Sequence, residues 1–174
     1  MALDLGPCRV YFGDADSEED LGKTQGGVRL SFSQSVADLS SDQYGTEPED
    51  QVITGQGATI TCPLANYTLD SIALALNQTK KSLGSQEGIK GSSLVGTKLS
   101  SKAKSLLLKK YVDGEISSDK KDWIRFPKAA PIGTFELTYD GETQRVIETI
   151  FRAFPDDNEV LYYFGDEEAA ESGS

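Results

Sequence analysis

The residues best suited to chemistry are five carboxylates crowded into Asp14-Ala15-Asp16-Ser17-Glu18-Glu19-Asp20. Such a run could cage a calcium ion, but the helix-loop-helix rule demands Gly at its sixth position and a bidentate Glu at its twelfth. Counted from Asp14, those places hold Glu19 and Gln25, so the run reads as an acidic exposed loop. Gly22-Lys23-Thr24 imitates the end of a phosphate-binding loop. The Gly expected five residues earlier is Ser17, and Glu18, Glu19 and Asp20 would repel the phosphate such a loop must cradle. Gly91 to Lys98 is a second near miss, with Thr97 and Lys98 in the wrong order. Neither reads as a nucleotide site.

The chain contains no histidine, which removes the usual general base, the commonest metal ligand and any Ser-His-Asp arrangement. The expectation is a protein with no catalytic residue, no cofactor and no metal. Residues Met1 to Pro7 lack the basic and apolar blocks of a signal peptide, and no apolar run approaches a membrane span. Cys8 and Cys62 are then expected as reduced, small core residues, and the Asn66-Tyr67-Thr68 and Asn77-Gln78-Thr79 sequons as chance matches.

Charge is distributed in blocks. The net of −11 divides into −9 over residues 1–70, +7 over 71–130 and −9 over 131–174. An acidic body argues against ordinary nucleic-acid binding, which needs Lys and Arg to neutralise phosphates. The basic middle reads as a solvated loop, an anion site, or a surface that meets acidic parts of another copy.

The elements that must carry these residues are mostly strands, and the 174 residues are expected to form one domain, 1–174. Cys8 to Phe12 alternates, as does Val28 to Ser33 with Val28, Leu30 and Phe32 inward. Val52 to Thr54 suggests a brief strand broken by Gly55-Gln56-Gly57, and Ala58 to Cys62 a further one ended or edged by Pro63. The spacing of Leu69, Ile72, Ala73 and Leu76 predicts a helix over about 68–78, capped by Thr68, with its stripe on a sheet. Residues 77–103, rich in Gly, Ser and Lys, read as a long flexible basic loop.

Lys104 to Val112 reads as a buried strand. Trp123 to Phe126 and Thr134 to Tyr139 follow, then a turn at Asp140-Gly141 and a return strand over Gln144 to Phe154. Val160 to Phe164 closes the set, and 166–174 reads as a frayed acidic tail. The return strand presents Ile147, Thr149, Phe151 and Ala153 on one face. The other face alternates Val146, Ile150 and Phe154 with Glu148 and Arg152. Either a second subunit covers that second face, or a twist or bulge accounts for it. The fold class is mainly β: a β-sandwich or open β-barrel with one flanking helix.

Several stretches together resemble the tail tube (major tail) proteins of long-tailed phages and phage-like particles. They are Gly6 to Gly13, Leu21 to Thr24 leading to Gly26-Gly27-Val28, Tyr44-Gly45-Thr46, and Thr59 to Ala65. Phe126 to Pro131, Gln144 to Ile147, Phe154-Pro155-Asp156 and Phe164-Gly165-Asp166 complete the set, whose order and spacing carry the likeness. The resemblance spans most of the chain except 77–103.

It implies a structural virion protein of the phage tail, assembled in the host cytoplasm, with no membrane insertion by this chain. Copies would join sheets edge to edge into homo-hexameric rings, and the rings would stack into a hollow tube. The tube would enclose a tape-measure protein, meet tail terminator and tip proteins, and pass DNA during ejection. A negative lumen would let that DNA slide. Val146, Ile150 and Phe154 are then candidate subunit contacts, and Lys80, Lys81, Lys90 and Lys98 a candidate inter-ring basic loop. The alternatives are a tail terminator or head-decoration protein, or a monomeric β-sandwich binding module for carbohydrate or protein.

Overall fold

Apolar residues recurring at every second position commit nearly half of the described residues to strands, and antiparallel neighbours pair them. The computed structural model describes residues 6–39, 48–134, 136, 137, 139, 141, 142 and 144–172. In chain order the strands are β1 (Cys8–Gly13), β2 (Glu19–Asp20), β3 (Arg29–Leu39), β4 (Asp50–Leu64), β5 (Lys80–Leu83) and β6 (Gln86–Ile89). β7 (Lys104–Val112), β8 (Glu115–Ile116), β9 (Trp123–Pro131), β10 (Ile147–Phe154) and β11 (Tyr163–Phe164) follow. Helix α1 spans Leu69–Ala75 and the short α2 spans Glu167–Glu171.

The main sheet runs β2-β1-β7-β9-β10-β4-β3, with β11 added to β9 and β8 to β7; β5 and β6 form a separate hairpin. All pairings are antiparallel. The protein is mainly β, with a large antiparallel sheet and a helix against it, as its alternating pattern predicts. The sheet curls on itself. Phe12 of β1 meets Phe151 of β10 at a ring-centroid distance of 5.1 Å, although β7 and β9 lie between their strands. Val10, Ile60, Leu64, Leu106, Phe126 and Ile147 share that buried interior.

A seam closes part of the curl. Leu21 N–H donates to Val10 C=O (2.9 Å), Ala65 N–H to Lys23 C=O (2.8 Å) and Gln25 N–H to Pro63 C=O (3.0 Å), tying the β1 edge to β4. Gly22 is needed here, because it has φ +93° and a Cβ would sit 1.9 Å from Asn66 Nδ2. The phosphate-loop lookalike is thus the stitching of an incompletely closed barrel.

Several expected boundaries move. β3 and β4 pair continuously from Arg29 opposite Thr61 to Leu39 opposite Asp50, through the glycines read as a break, with a register shift at Ser35/Val36. β9 continues through Pro127, which a strand interior rarely accepts; the residue gained on β9 between its pairings to Leu106 and Lys104 is a bulge at Pro127-Lys128. β10 starts at Ile147 and pairs with β9 and β4, not with a strand over Thr134 to Tyr139. No strand forms at Thr134, Glu136, Leu137 or Tyr139, while Phe135, Thr138 and Asp140 of that expected hairpin lie outside the described residues.

α1 begins at Thr68, whose Oγ1 accepts from Ser71 N–H, and stops when Asn77 takes φ +56°. Its expected stripe is only half right. Ser71, Ala73 and Ala75 are buried and Leu69 and Leu76 remain exposed, because the helix is wedged between β10 and the β5–β6 hairpin. Residues 77–103 are accordingly not a plain loop. Gly84-Ser85, with Gly84 at φ +62°, turns β5 into β6, and a 3-10 turn follows at Leu99–Lys102.

Alternating strand directions sort the connections to two ends. The β1–β2 turn, α1, the β5–β6 hairpin and the β9–β10 link lie at one end. The β3–β4 turn, the β7–β9 link and the 155–162 segment lie at the other.

Candidate functional site

The feature with most surface to offer is the outer half of the β3–β4 hairpin, which leaves the body as a two-stranded arm. From Ser33 to Leu39 and from Asp50 to Gln56 every residue is exposed. Register puts Val36 opposite Ile53 on one face, and Ala37 opposite Val52 with Leu39 on the other. Val36, Leu39, Val52 and Ile53 are 46–54% exposed. A two-stranded ribbon alone is marginally stable in water. Among the described residues β3 pairs only with β4, so its other edge offers free backbone groups, and β3 carries neither Lys nor Pro to blunt it.

At the arm's base, an open groove of about 720 Å³ runs between Ile53–Gln56 and the 155–161 segment, lined by Pro155, Glu159 and Leu161. Asp156 shapes that segment by accepting from Asn158 N–H and Val160 N–H, while Asp157 pairs with Lys128 at 2.6 Å, which lowers its pKa. Next to the groove Phe32, Tyr162 and Phe164 form a half-exposed cluster over buried Phe126, with centroids 5.0–5.7 Å apart. Their planes meet at 47–85°, edge to face, not as a flat platform.

At the opposite end stands the basic hairpin, which is braced at its base. Gln78 Nε2–H donates to Ser92 C=O (3.0 Å) and its Oε1 accepts from Ser92 N–H (3.3 Å). Lys80 sits 2.8 Å from Asp70 and 3.1 Å from Glu87, so of the four candidate lysines this one is held within its own chain. Lys81, Lys90 and Lys98 form no ion pair among the described residues. Leu83, at the turn, is 82% exposed.

On β10 the predicted core face is real: Ile147, Thr149, Phe151 and Ala153 are all buried. Val146, Ile150 and Phe154 are half-buried on the outer face, between exposed Glu148 and Arg152. Phe154 directly precedes the 155–161 segment at the arm's base, whereas Val146 adjoins the opposite end of β10.

The acidic run is occupied by partners far away in sequence. Asp14 pairs with Lys104 (3.4 Å), Asp20 with Arg9 (2.9 Å), and Glu18 accepts from Ser105 Oγ–H at 2.6 Å. Arg125 lies 3.6 Å from both Asp16 and Glu18; its Nε is 3.0 Å from Glu167 without hydrogen-bonding alignment. These carboxylates clamp the outer face of the sheet, and no group of three metal-ligating side chains occurs among the described residues. Burial raises the pKa of both Cys8 and Cys62, leaving neutral thiols of low reactivity. No helix among the described residues is long and apolar enough to cross a membrane.

The expected frayed tail is instead the helix α2, capped by Asp166 and latched by Lys120 to Glu168 at 3.2 Å. Tyr163 donates to the Glu171 carboxylate at 2.7 Å, and that bond pushes its phenol up to about 12. A raised folded-state value means the contact is fully present below the ordinary phenol range, about pH 10. It is lost as pH rises through about 12. Tyr11 and Tyr67 are also raised, so ultraviolet titration should show several late phenolates, of which Glu171→Gln moves the latest to lower pH; an unchanged titration in that variant contradicts the latch.

No family model matches the chain, and no curated protein matches it in sequence.

Proposed function

We propose that this chain is a structural protein that assembles with copies of itself into rings and stacks them into a hollow tube, a phage tail tube in kind. The observation that carries the reading is the arm: a long free strand edge bearing half-exposed aliphatic residues on both faces. Burying the remaining surface of Val36, Leu39, Val52 and Ile53 is worth on the order of 4 kcal/mol per copy. Association costs roughly 4–15 kcal/mol, so this apolar term alone does not hold a pair together. Backbone pairing along the β3 edge and closure of a ring, in which each copy is held on two sides, supply the remainder.

An acidic body, −11 overall, suits a conduit along which DNA passes without adhering. A carbohydrate-binding module is the weaker reading, since the exposed rings of Phe32, Tyr162 and Phe164 cover one another edge to face. Negative-stain microscopy of the concentrated protein is the test. Hollow tubes of uniform width are expected; a persistent monomer by light scattering contradicts the proposal.

A further inference from the structure

Two projecting segments at opposite ends of the barrel, residues 77–103 at one and the arm with the 155–161 segment at the other, carry opposite charge. Residues 77–103 hold five lysines against one acid, Glu87. The arm from Gln34 to Gln56 holds five acids and the 155–161 segment three, with no base in either. The basic segment also presents a braced hairpin whose tip residue, Leu83, is 82% exposed beside Lys81. The base of the arm presents an open groove in which Ile53, Pro155 and Leu161 supply apolar surface beside the polar side chains of Thr54, Gln56 and Glu159. Glu159 has no ion-pair partner among the described residues.

We infer that copies of this chain dock end to end, the β5–β6 hairpin of one seating Leu83 in the arm-base groove of the next, with Lys81 facing Glu159. The occupant is a second copy because the knob and its charge partner are both found on this chain, at opposite ends of one barrel. That placement forbids the contact within a single copy. A head-to-tail contact does not close on itself, so its repetition propagates a filament. The contact rests on the self-assembly reading and names the surface through which one ring would meet the next. It also gives the bracing of the hairpin a purpose: the Gln78–Ser92 and Lys80–Asp70–Glu87 contacts fix the knob before it docks, reducing the ordering cost of binding.

The test is cross-linking with a short bismaleimide on full-length chains carrying both Gln86→Cys, at the position paired with Leu83, and Thr54→Cys, beside Ile53, with the parent protein as control for its own thiols. Both positions are exposed and neither is the apolar anchor, so neither change threatens the fold or the contact. A ladder of multimers is expected from the double variant and none from either single variant. Leu83→Ser should weaken end-to-end association about thirtyfold, as loss of a central apolar anchor does. Lys81→Glu should weaken it as well and recover when combined with Glu159→Lys. Assembled protein that yields no ladder, or Leu83→Ser chains that elongate normally, overturns this contact and leaves the tube reading standing. A parent protein that stays monomeric at high concentration overturns both.

Discussion

Replacing Ser35 to Gly55 with Asn-Gly is expected to abolish assembly while leaving a folded monomer. Gln34 and Gln56 are direct partners in the hairpin, so a two-residue turn between them restores a tight connection. None of the described residues in the deleted stretch belongs to the buried cluster, whose members on this hairpin, Ala58, Ile60, Cys62 and Leu64, all remain together with Leu30 packed against them. Shortening a surface excursion changes stability only logarithmically with its length, by about 2 kcal/mol here. The free edge shrinks to its body-proximal half, and Val36, Leu39, Val52 and Ile53 are gone. Sedimentation velocity should then find monomer at every concentration, with the parent's thermal transition retained. Normal tubes from this variant contradict the proposed role of the arm.

Phe151→Ala should have the largest effect on the monomer. Its ring is fully buried and touches Phe12 across two intervening strands, so it holds the curl of the sheet as well as filling its interior. Removal of a buried Phe costs about 3–5 kcal/mol. A domain's whole stability is roughly 5–15 kcal/mol, so the variant loses a large share of it. Urea unfolding should show a lower midpoint at unchanged slope. A double-mutant cycle with Phe12→Ala should return a coupling of about 1 kcal/mol, the part belonging to the ring pair itself. Independent, additive effects of the two changes would mean that the rings do not brace one another.

Local pattern carries the β-rich class and much of the core. The inward face of β10 is written as plain alternation from Ile147 to Ala153, and Thr68 announces the start of α1. What local pattern misses has identifiable physical causes. Gly55-Gln56-Gly57 looks like a break because glycine weakens strands. These glycines face Ser35 and Ser33, and a Cβ at Gly57 would come within 3.2 Å of Ser33 Oγ, so the small residues suit the close pairing of the arm. The Gly84-Ser85 hairpin was legible: a Gly-Ser pair is a known two-residue turn, but polar flanks from Lys80 to Ile89 hid the alternation.

Long-range partners are the deeper difficulty. Nothing near Asp14 or Glu18 indicates that Lys104, Ser105 and Arg125 will meet them, and an unpaired acidic run invites a metal reading for that reason. Lys80 looks as free as Lys81 until α1 brings Asp70 beside it. Pro127 ends a strand by local rule, whereas the bulge beside β7 lets β9 continue to Pro131.

If assembly proceeds by joining sheet edges, the backbone of β3 must change its environment when tubes form. Amide hydrogen exchange compared between dilute monomer and assembled protein measures this directly. The predicted result is strong new protection along Arg29–Leu39, on amides that β4 leaves unpaired, with little change in the already buried β7 and β10. Identical β3 exchange in both states would contradict edge-to-edge assembly.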